Sequence, residues 1–134
     1  MTYRELLEAA YQAAENAYVP YSDYPVGAAI LTTDGRVFTG CNVENSSYGA
    51  TICAERVAAT KAVSEGSAKF RAIAVVSKSK QFTPPCGVCR QFLSEFSEDL
   101  EFVFDDEGEI LLYHMNDLLP YSFGKGHLEI VRGE

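Results

Sequence analysis

The sequence predicts an α/β protein, a three-layer α-β-α sandwich around a mixed sheet of about five strands. Segments with helical spacing of apolar residues alternate with short apolar segments along the chain. The uninterrupted apolar run from Ala72 to Val76 is typical of a central strand covered on both faces. Asp34-Gly35 lies between two strand-like segments and predicts an antiparallel hairpin. Helices on both faces of a mixed sheet fit this pattern best.

The first half of the chain predicts a helix, a hairpin and a second helix. Thr2 to Glu5 has the capping-box pattern of a helix start, and Pro20 prevents that helix from continuing past Tyr18. Gly66 closes the second, Ala-rich helix. In chain order we expect a helix over residues 3–18, a loop over 21–25, strands over 26–32 and 37–43, a loop over 44–51 and a helix over 53–63.

The second half predicts three more strands and two more helices. In chain order we expect a strand over residues 70–77, a loop over 81–85, a helix with Val88, Phe92, Leu93 and Phe96 on its core face, strands near 101–104 and 109–113, and a short helix around 116–119. Pro120 stops the last helix. Because the strand over residues 70–77 lies between the two cysteine-bearing helices in sequence, both helices can begin at one edge of the sheet, where α/β proteins commonly bind ligands.

Length and charge narrow the function classes. The 134 residues, 47% of them hydrophobic, suffice for one packed domain over residues 1–134. A formal charge of −8 argues against nucleic acid or an anionic membrane as partner, since clustered Lys and Arg bind both. No apolar run is long enough to span a membrane, and an N-terminus containing Glu5 and Glu8 lacks the features of a secretory signal. We expect a cytosolic protein with a small, weakly charged ligand.

Three of the four cysteines have the spacing of metal ligands. Cys86 and Cys89 lie in the first turn of a predicted helix, so both thiols reach the same side. Cys53 also begins a predicted helix. Three thiolates directed at one point suit Zn²⁺, and a fourth coordination position left to water makes such a site catalytic. The spacing therefore favours one catalytic zinc ion per chain.

Two residues beside Cys53 have chemistry that suits an open zinc site. Glu55 can act as general acid and base, taking a proton from water and passing it on, provided that Cys53 lies at the helix cap. Arg56 can donate hydrogen bonds to thiolate sulfurs and draw charge off a metal that three thiolates leave with a net charge of about −1. The two helix N-termini act in the same direction.

Other interpretations of the cysteines remain open at this point. A lone buried cysteine is usually an inert packing residue, and a Cys-x-x-Cys pair can be a redox pair. A structural four-thiolate zinc site would add Cys41, which lies within a predicted strand. A purely structural zinc module predicts that metal loss unfolds the chain and that Glu55 has no functional role.

The motifs resemble those of the zinc nucleobase deaminases in their three-cysteine form. Cys53-Ala54-Glu55 and Pro85 to Cys89 carry the zinc signature, which indicates only the superfamily and not the substrate. Further segments are similar to the small, homotetrameric cytidine deaminases: Tyr21-Ser22, Val26-Gly27-Ala28-Ala29, residues 40–45, Arg56 and Leu118-Leu119-Pro120. The resemblance runs nearly end to end.

Asn42 and Glu44 project from one face of a predicted strand end, where an amide and a carboxylate can together hold a ribose hydroxyl. A solvated strand end is the alternative. The resemblance assigns both residues to ribose, and Tyr24 and Ala54 to the substrate pocket, with Tyr24 standing where the family often has Phe. It also implies that Phe123 and the loop residues Ser46 and Tyr48 approach a neighbouring subunit's site, although each could equally be a packing or subunit contact.

The resemblance implies hydrolytic deamination of cytidine and 2′-deoxycytidine in pyrimidine salvage, by a homotetramer with shared active sites. Rival substrates are another small base, an aminopyrimidine antibiotic or a polynucleotide, and turnover of cytidine against cytosine and a nucleotide separates them. The acidic charge disfavours the polynucleotide. His114 and His127 lie far from the metal motifs and are expected to be exposed or capping residues.

Overall fold

A five-stranded mixed sheet forms the centre of the molecule. The computed structural model describes residues 1–132. The strands are β1 (Val26–Thr32), β2 (Val37–Cys41), β3 (Phe70–Ser77), β4 (Glu101–Asp106) and β5 (Glu109–His114). Their order in the sheet is β2-β1-β3-β4-β5, and each neighbouring pair is antiparallel except β3 and β4, which are parallel. The predicted mixed sheet is confirmed.

Helices cover both faces of the sheet. They are α1 (Tyr3–Ala14), α2 (Ala54–Ser64), α3 (Gly87–Ser94), α4 (Met115–Leu118) and α5 (Lys125–Arg132), with one 3₁₀ turn at Tyr48–Ala50. One hydrophobic core joins α1 to the sheet, and a second core joins α2, α3 and α4 to the opposite face. The three-layer sandwich is therefore confirmed. None of the helices over residues 1–132 combines the length and apolar content that crossing a bilayer requires.

Helix α2 lies directly against β2 because small residues meet at the contact. Ala54, Ala58 and Ala62 of α2 are fully buried. A Cβ atom added to Gly40 on β2 would lie 2.5 Å from the Ala58 nitrogen and 2.6 Å from the Ala54 oxygen. The backbone of the helix thus rests on the backbone of the strand, which fixes the depth at which α2 begins.

The strand directions bring the starts of α2 and α3 to one edge of the sheet. Gly27 of β1 pairs with both Cys41 of β2 and Val76 of β3, so β2 and β3 run in the same direction and end at the same edge. Helix α2 follows β2 along the chain and α3 follows β3. Ligand sites of α/β sheets commonly lie outside such strand ends.

The first helix and the second strand are shorter than predicted. Helix α1 ends at Ala14, because Tyr18 is engaged elsewhere: its N–H donates to Asn42 O at 3.0 Å, and its carbonyl accepts from Glu44 N at 2.9 Å. Strand β2 ends at Cys41, and Val43 forms isolated bridges beyond it. The predicted ends at residues 18 and 43 are therefore wrong. The loop after α1 and the loop after β2 pair with each other through these backbone hydrogen bonds.

Two further differences concern the later helices. Val88 is 61% exposed, so its predicted place on the core face of α3 is wrong. It lies in the first turn, whereas Leu93 is fully buried and Phe92 and Phe96 pack at the edge of the core. Helix α5 has no counterpart in the sequence prediction, because Gly126 lowers the helix propensity of this segment.

Replacing Gly40 with Ala should destabilise the fold by about 1–3 kcal/mol, because the new methyl group would enter the backbone of α2. Urea denaturation of the variant measures this difference. Gly124→Ala is the matched control, since an added Cβ atom there meets no atom within 4 Å. Equal stability of the two variants would show that α2 does not rest on β2 as described.

Candidate active site

Three cysteine thiols converge at the starts of α2 and α3. Cys53 and Cys86 are the N-cap residues of these helices, with extended backbones at φ −73°, ψ 155° and φ −69°, ψ 166°. Cys89 lies in the first turn of α3. All three Sγ atoms lie within 4.8 Å of one another, and those of Cys53 and Cys86 are 3.9 Å apart. Cys53 therefore meets the condition, a cap position, on which the role of Glu55 depends.

The sulfur positions fit a tetrahedral zinc ion. Zn–S bonds of about 2.3 Å at tetrahedral angles place two sulfur atoms about 3.8 Å apart, close to the 3.9 Å between Cys53 and Cys86. Within residues 1–132, the cluster contains these three thiols and does not include Cys41. A three-thiolate set leaves one tetrahedral position for another ligand, which is typical of a catalytic site.

Positive charge surrounds the thiol cluster. The guanidinium of Arg56 lies with Nη2 3.6 Å from Cys53 Sγ and 3.5 Å from Thr51 O. Hydrogen bonds from Cys89 and then Arg56 lower the pKa of Cys53 to about 5, so this thiol is readily ionised. The free N–H groups at the starts of α2 and α3 favour negative charge at the same point.

Glu55 places a carboxylate beside the thiols in a buried position. Its side chain is 4% exposed, in the first turn of α2. Burial raises the pKa of Glu55 to about 7, and the negative charge on Cys53 acts in the same direction. A carboxyl group that titrates near neutral pH can both accept and donate protons under physiological conditions.

A cavity of about 210 Å³ opens in front of the thiols and Glu55. The predicted site residues Tyr24, Asn42 and Ala54 line it with Cys53, Glu55 and Cys86. Residues to which the sequence assigned no role in the site complete the lining: Val26, Thr51, Val75, Thr83 and Pro84. A concave site with a buried titratable group and convergent metal ligands has the properties of an enzyme active site.

The family model of the cytidine and deoxycytidylate deaminase zinc-binding region matches residues 1–104. The chain belongs to this family. The matched region includes all three clustered cysteines and Glu55. The zinc ion expected from the sulfur geometry is therefore also the cofactor of the family, and the three-cysteine cluster accommodates one zinc ion per chain.

Similar proteins extend over almost the whole chain. The cytidine deaminase of Sporosarcina psychrophila is 45% identical over 130 residues, covering 96% of both proteins. That of Halalkalibacterium halodurans is 48% identical over 120 residues, covering 88% of this chain and 91% of the relative. The crystal structure of cytidine deaminase from Burkholderia pseudomallei has a TM-score of 0.87 and 47% identity, covering 92% of this chain and 100% of that one.

Asn42 has both ends of its amide fixed by the backbone in this member of the deaminase family. Its Oδ1 accepts from Val26 N at 2.9 Å, and its Nδ2 donates to Tyr24 O at 2.9 Å. These bonds hold the first loop against the start of β1. Because an amide nitrogen carries two hydrogen atoms, one donor of Asn42 stays available to the cavity that it lines.

Glu44 anchors the same loop from an adjoining cavity of about 380 Å³. Its Oε1 accepts from the N–H groups of Tyr21 and Ser22 at 3.0 and 3.1 Å, and its Oε2 accepts from the Ser22 hydroxyl. The Ser22 hydroxyl holds the pKa of Glu44 below its usual value. Thr51 lines both this cavity and the cavity of about 210 Å³ in front of the thiols, the thiol cavity. Glu44 therefore lies beside the thiol cavity and not within it.

Tyr24 stands between two loops that border the cavity. Its hydroxyl lies 3.4 Å from Thr83 Oγ1, and Thr83 in turn donates to Ser77 Oγ at 2.9 Å at the end of β3. The hydroxyl that distinguishes Tyr24 from the usual Phe therefore contacts the loop that leads to Cys86. A threonine directly before Pro84-Pro85 was the available sequence signal for this contact.

The structure does not bring Tyr48 and Phe123 into the thiol cavity of their own chain. Tyr48 is 74% exposed, with its ring edge against Tyr21 and its side chain at the Glu44 cavity. Phe123 is 57% exposed and stacks on His127 with ring centroids 5.3 Å apart. His114 caps α4, as expected of a histidine away from the metal motifs.

The carboxylate of Glu44 should stabilise the fold in a pH-dependent way. Because its pKa is lower in the folded protein than the usual 4.5, its contribution is present above that pH and is lost as the pH falls below it. Urea denaturation of Glu44→Gln should therefore show a clear loss of stability near neutral pH and a smaller loss in acid. The exposed Glu98→Gln variant is the control. A pH-independent loss would contradict the described hydrogen bonds.

Proposed function

We propose that this protein catalyses the hydrolytic deamination of cytidine and 2′-deoxycytidine to uridine and 2′-deoxyuridine, with release of ammonia. The buried carboxylate of Glu55 beside three converging cysteine thiols is the observation that carries the proposal. The family and the two relatives above, both cytidine deaminases, support it. The reaction consumes one water molecule for each ammonia released and belongs to pyrimidine salvage.

Cys53, Cys86 and Cys89 are the residues that would hold the zinc ion. Zinc bound in such a site supplies a water molecule whose pKa is lowered toward ~7. Arg56 offsets part of the negative charge of the thiolates through its contact with Cys53. The free N–H groups at the two helix starts add to this effect.

Glu55 moves the protons of the reaction. Its carboxylate accepts a proton from the attacking water and delivers it to the ring nitrogen next to the amine-bearing carbon. Water oxygen bonds to that carbon as a hydroxyl group. Glu55 then takes the proton of this hydroxyl group and delivers it to the amine, so that the C–N bond breaks, the carbonyl of the product forms and ammonia leaves. Burial suits Glu55 to this role, since it raises the pKa of the carboxyl group to about 7, close to physiological pH.

Asn42 and Glu44 bind the ribose, and Tyr24 and Ala54 border the base. Asn42 retains one amide hydrogen toward the cavity. A carboxylate has about four lone-pair directions, and the loop occupies three of those of Glu44, so one acceptor direction remains for a sugar hydroxyl. The rigid attachment of both side chains to the first loop favours a substrate that carries a sugar over a free base.

The active enzyme is a homotetramer with shared sites. The cavity of about 210 Å³ in front of the thiols and the adjoining cavity of about 380 Å³ both open to the surface of the chain, so a neighbouring copy can supply further walls that enclose a nucleoside. Phe123 and Tyr48 are exposed aromatic side chains suited to supply those walls in a neighbouring subunit. A single domain over residues 1–134 carries the activity, in the cytoplasm, where thiols stay reduced.

Replacing Glu55 with Gln should lower kcat for cytidine by at least about 10²–10⁴-fold, because the amide cannot carry protons. Zinc content, measured by atomic absorption, should stay at one ion per chain. Turnover is measured as the loss of the ultraviolet absorbance of cytidine.

Glu65→Gln is the matched control, since Glu65 is exposed at the other end of α2. Its activity should equal that of the wild type. Full activity of Glu55→Gln with zinc bound would overturn the proposed mechanism.

Replacing Phe123 with Ala should lower kcat/KM for cytidine by about tenfold or more, with zinc retained, because a wall of the neighbouring site is lost. Tyr121→Ala is the control, since Tyr121 is fully exposed two residues away. Sedimentation should show four copies for both variants. A monomeric enzyme with full activity would exclude shared sites.

A further inference from the structure

Arg90 donates hydrogen bonds to two backbone carbonyls, one of which directly precedes the metal ligand Cys86. It follows Cys89 on α3, and its Nε donates to Pro85 O at 2.9 Å while its Nη1 donates to Leu118 O at 3.1 Å. The side chain is half-buried. Among residues 1–128, whose side chains the structure describes, no carboxylate forms an ion pair with Arg90, although the chain is rich in acidic residues. Its role is therefore to join two segments of backbone.

Pro85 is buried and Thr83 donates to Ser77 Oγ, but the Pro84-Pro85 part of the first segment has few hydrogen bonds to the rest of the protein. Pro84 and Pro85 lack backbone N–H groups, so neither can donate to a neighbouring strand or turn. Cys86 follows directly and is exposed, so packing does not hold its thiol in place, whereas Cys89 is buried. The carbonyl of Pro85 belongs to the peptide unit that leads into Cys86. A donor on that carbonyl fixes the plane of this peptide.

The second segment is anchored in the core. Helix α4 begins at Met115, which is 3% exposed and donates from its N–H to Leu100 O at 2.9 Å. Leu118 ends this helix, and Pro120 prevents its continuation, so the Leu118 carbonyl needs a partner outside the helix. A cation at a helix C-terminus is favourable. Arg90 thus connects the loop that leads to Cys86 to the end of a helix whose start is anchored in the core.

The next residue, Gln91, provides a natural comparison. Its Nε2 donates to Phe123 O at 2.9 Å, so it also attaches α3 to the C-terminal segment. It makes no hydrogen bond to the Pro84-Pro85 loop within the described chain. Both Arg90 and Gln91 therefore donate to carbonyls of the C-terminal segment, at Leu118 and Phe123. Arg90 alone of these two also donates to the loop that leads to Cys86.

We propose that Arg90 is a positioning residue for the metal ligands. Its guanidinium links the Pro85–Cys86 peptide to the end of α4 by two hydrogen bonds. This link keeps the Cys86 thiol close enough to Cys53 and Cys89 to bind the same metal ion. The inference rests on the proposed function only in taking zinc as the metal, and its test does not require turnover.

Zinc affinity of Arg90→Met tests the proposal. Methionine keeps an unbranched apolar side chain but removes both hydrogen bonds, so competition with a zinc chelator should show an affinity about 10- to 100-fold lower than that of the wild type. Arg90→Lys should be intermediate, because an ammonium cannot reproduce the two-way geometry of a guanidinium. Gln91→Ala should bind zinc like the wild type.

Cobalt substitution reports the ligands directly. The thiolate-to-cobalt absorption of Arg90→Met should lose the intensity of about one thiolate, whereas that of Gln91→Ala should be unchanged. Near-ultraviolet circular dichroism and thermal denaturation establish that each variant is folded. If Arg90→Met does not fold, the comparison of Arg90→Lys with Gln91→Ala decides the matter in the same way.

Unchanged zinc affinity and an unchanged cobalt spectrum in folded Arg90 variants would overturn the proposal. Equal losses in Gln91→Ala would also overturn it, because the effect would then come through the C-terminal segment in general. Failure of the wild type to deaminate cytidine, with the zinc results as expected, would contradict the proposed function and leave the role of Arg90 supported.

Discussion

The convergence of two helix starts at one edge of the sheet is the constraint on which the site depends. Strands β2 and β3 run in the same direction, and α2 and α3 follow them, so Cys53 and Cys86 meet as N-cap residues of separate helices. Extended backbone at both caps lets the thiols turn away from the helices and toward each other. The close contact of α2 with Gly40 sets how deep Cys53 and Glu55 lie. The two helix caps therefore both end the loops of the fold and supply two of the three metal ligands.

Charge balance explains why the remaining residues are grouped around the caps. Burial raises the pKa of Glu55, and the negative charge of the neighbouring Cys53 adds to the rise, so a site of three thiolates and a carboxylate needs positive charge nearby. A zinc ion, Arg56 and two helix N-termini supply the compensating positive charge. The site thus tolerates a carboxyl group that titrates near neutral pH, which the proposed proton transfers require. Arg90 contributes differently, by fixing the loop that carries the most exposed ligand.

Local sequence patterns were enough to predict most of the fold and the metal cluster. The features that could not be predicted depend on contacts between residues far apart in the sequence. The strands over residues 26–32 and 70–77 are found as predicted, because continuous apolar runs leave little alternative. The early end of α1 could not be predicted, since it depends on a bridge between Tyr18 and a residue far along the chain. Cys53, Glu55 and the Cys86–Cys89 pair were identifiable from spacing. The hydrogen bonds of Asn42 and Glu44 to the first loop were not, because period-2 spacing defines a face and gives no partner.

Zinc titration of the metal-free protein tests the central claim most directly. The protein is stripped of metal under reducing conditions, zinc is added stepwise, and conversion of cytidine is followed by ultraviolet absorbance. The account predicts no turnover without zinc and activity that rises in proportion to added zinc until one ion is bound per chain. Turnover that persists without zinc, or a fully zinc-loaded protein that leaves cytidine unchanged, would contradict it.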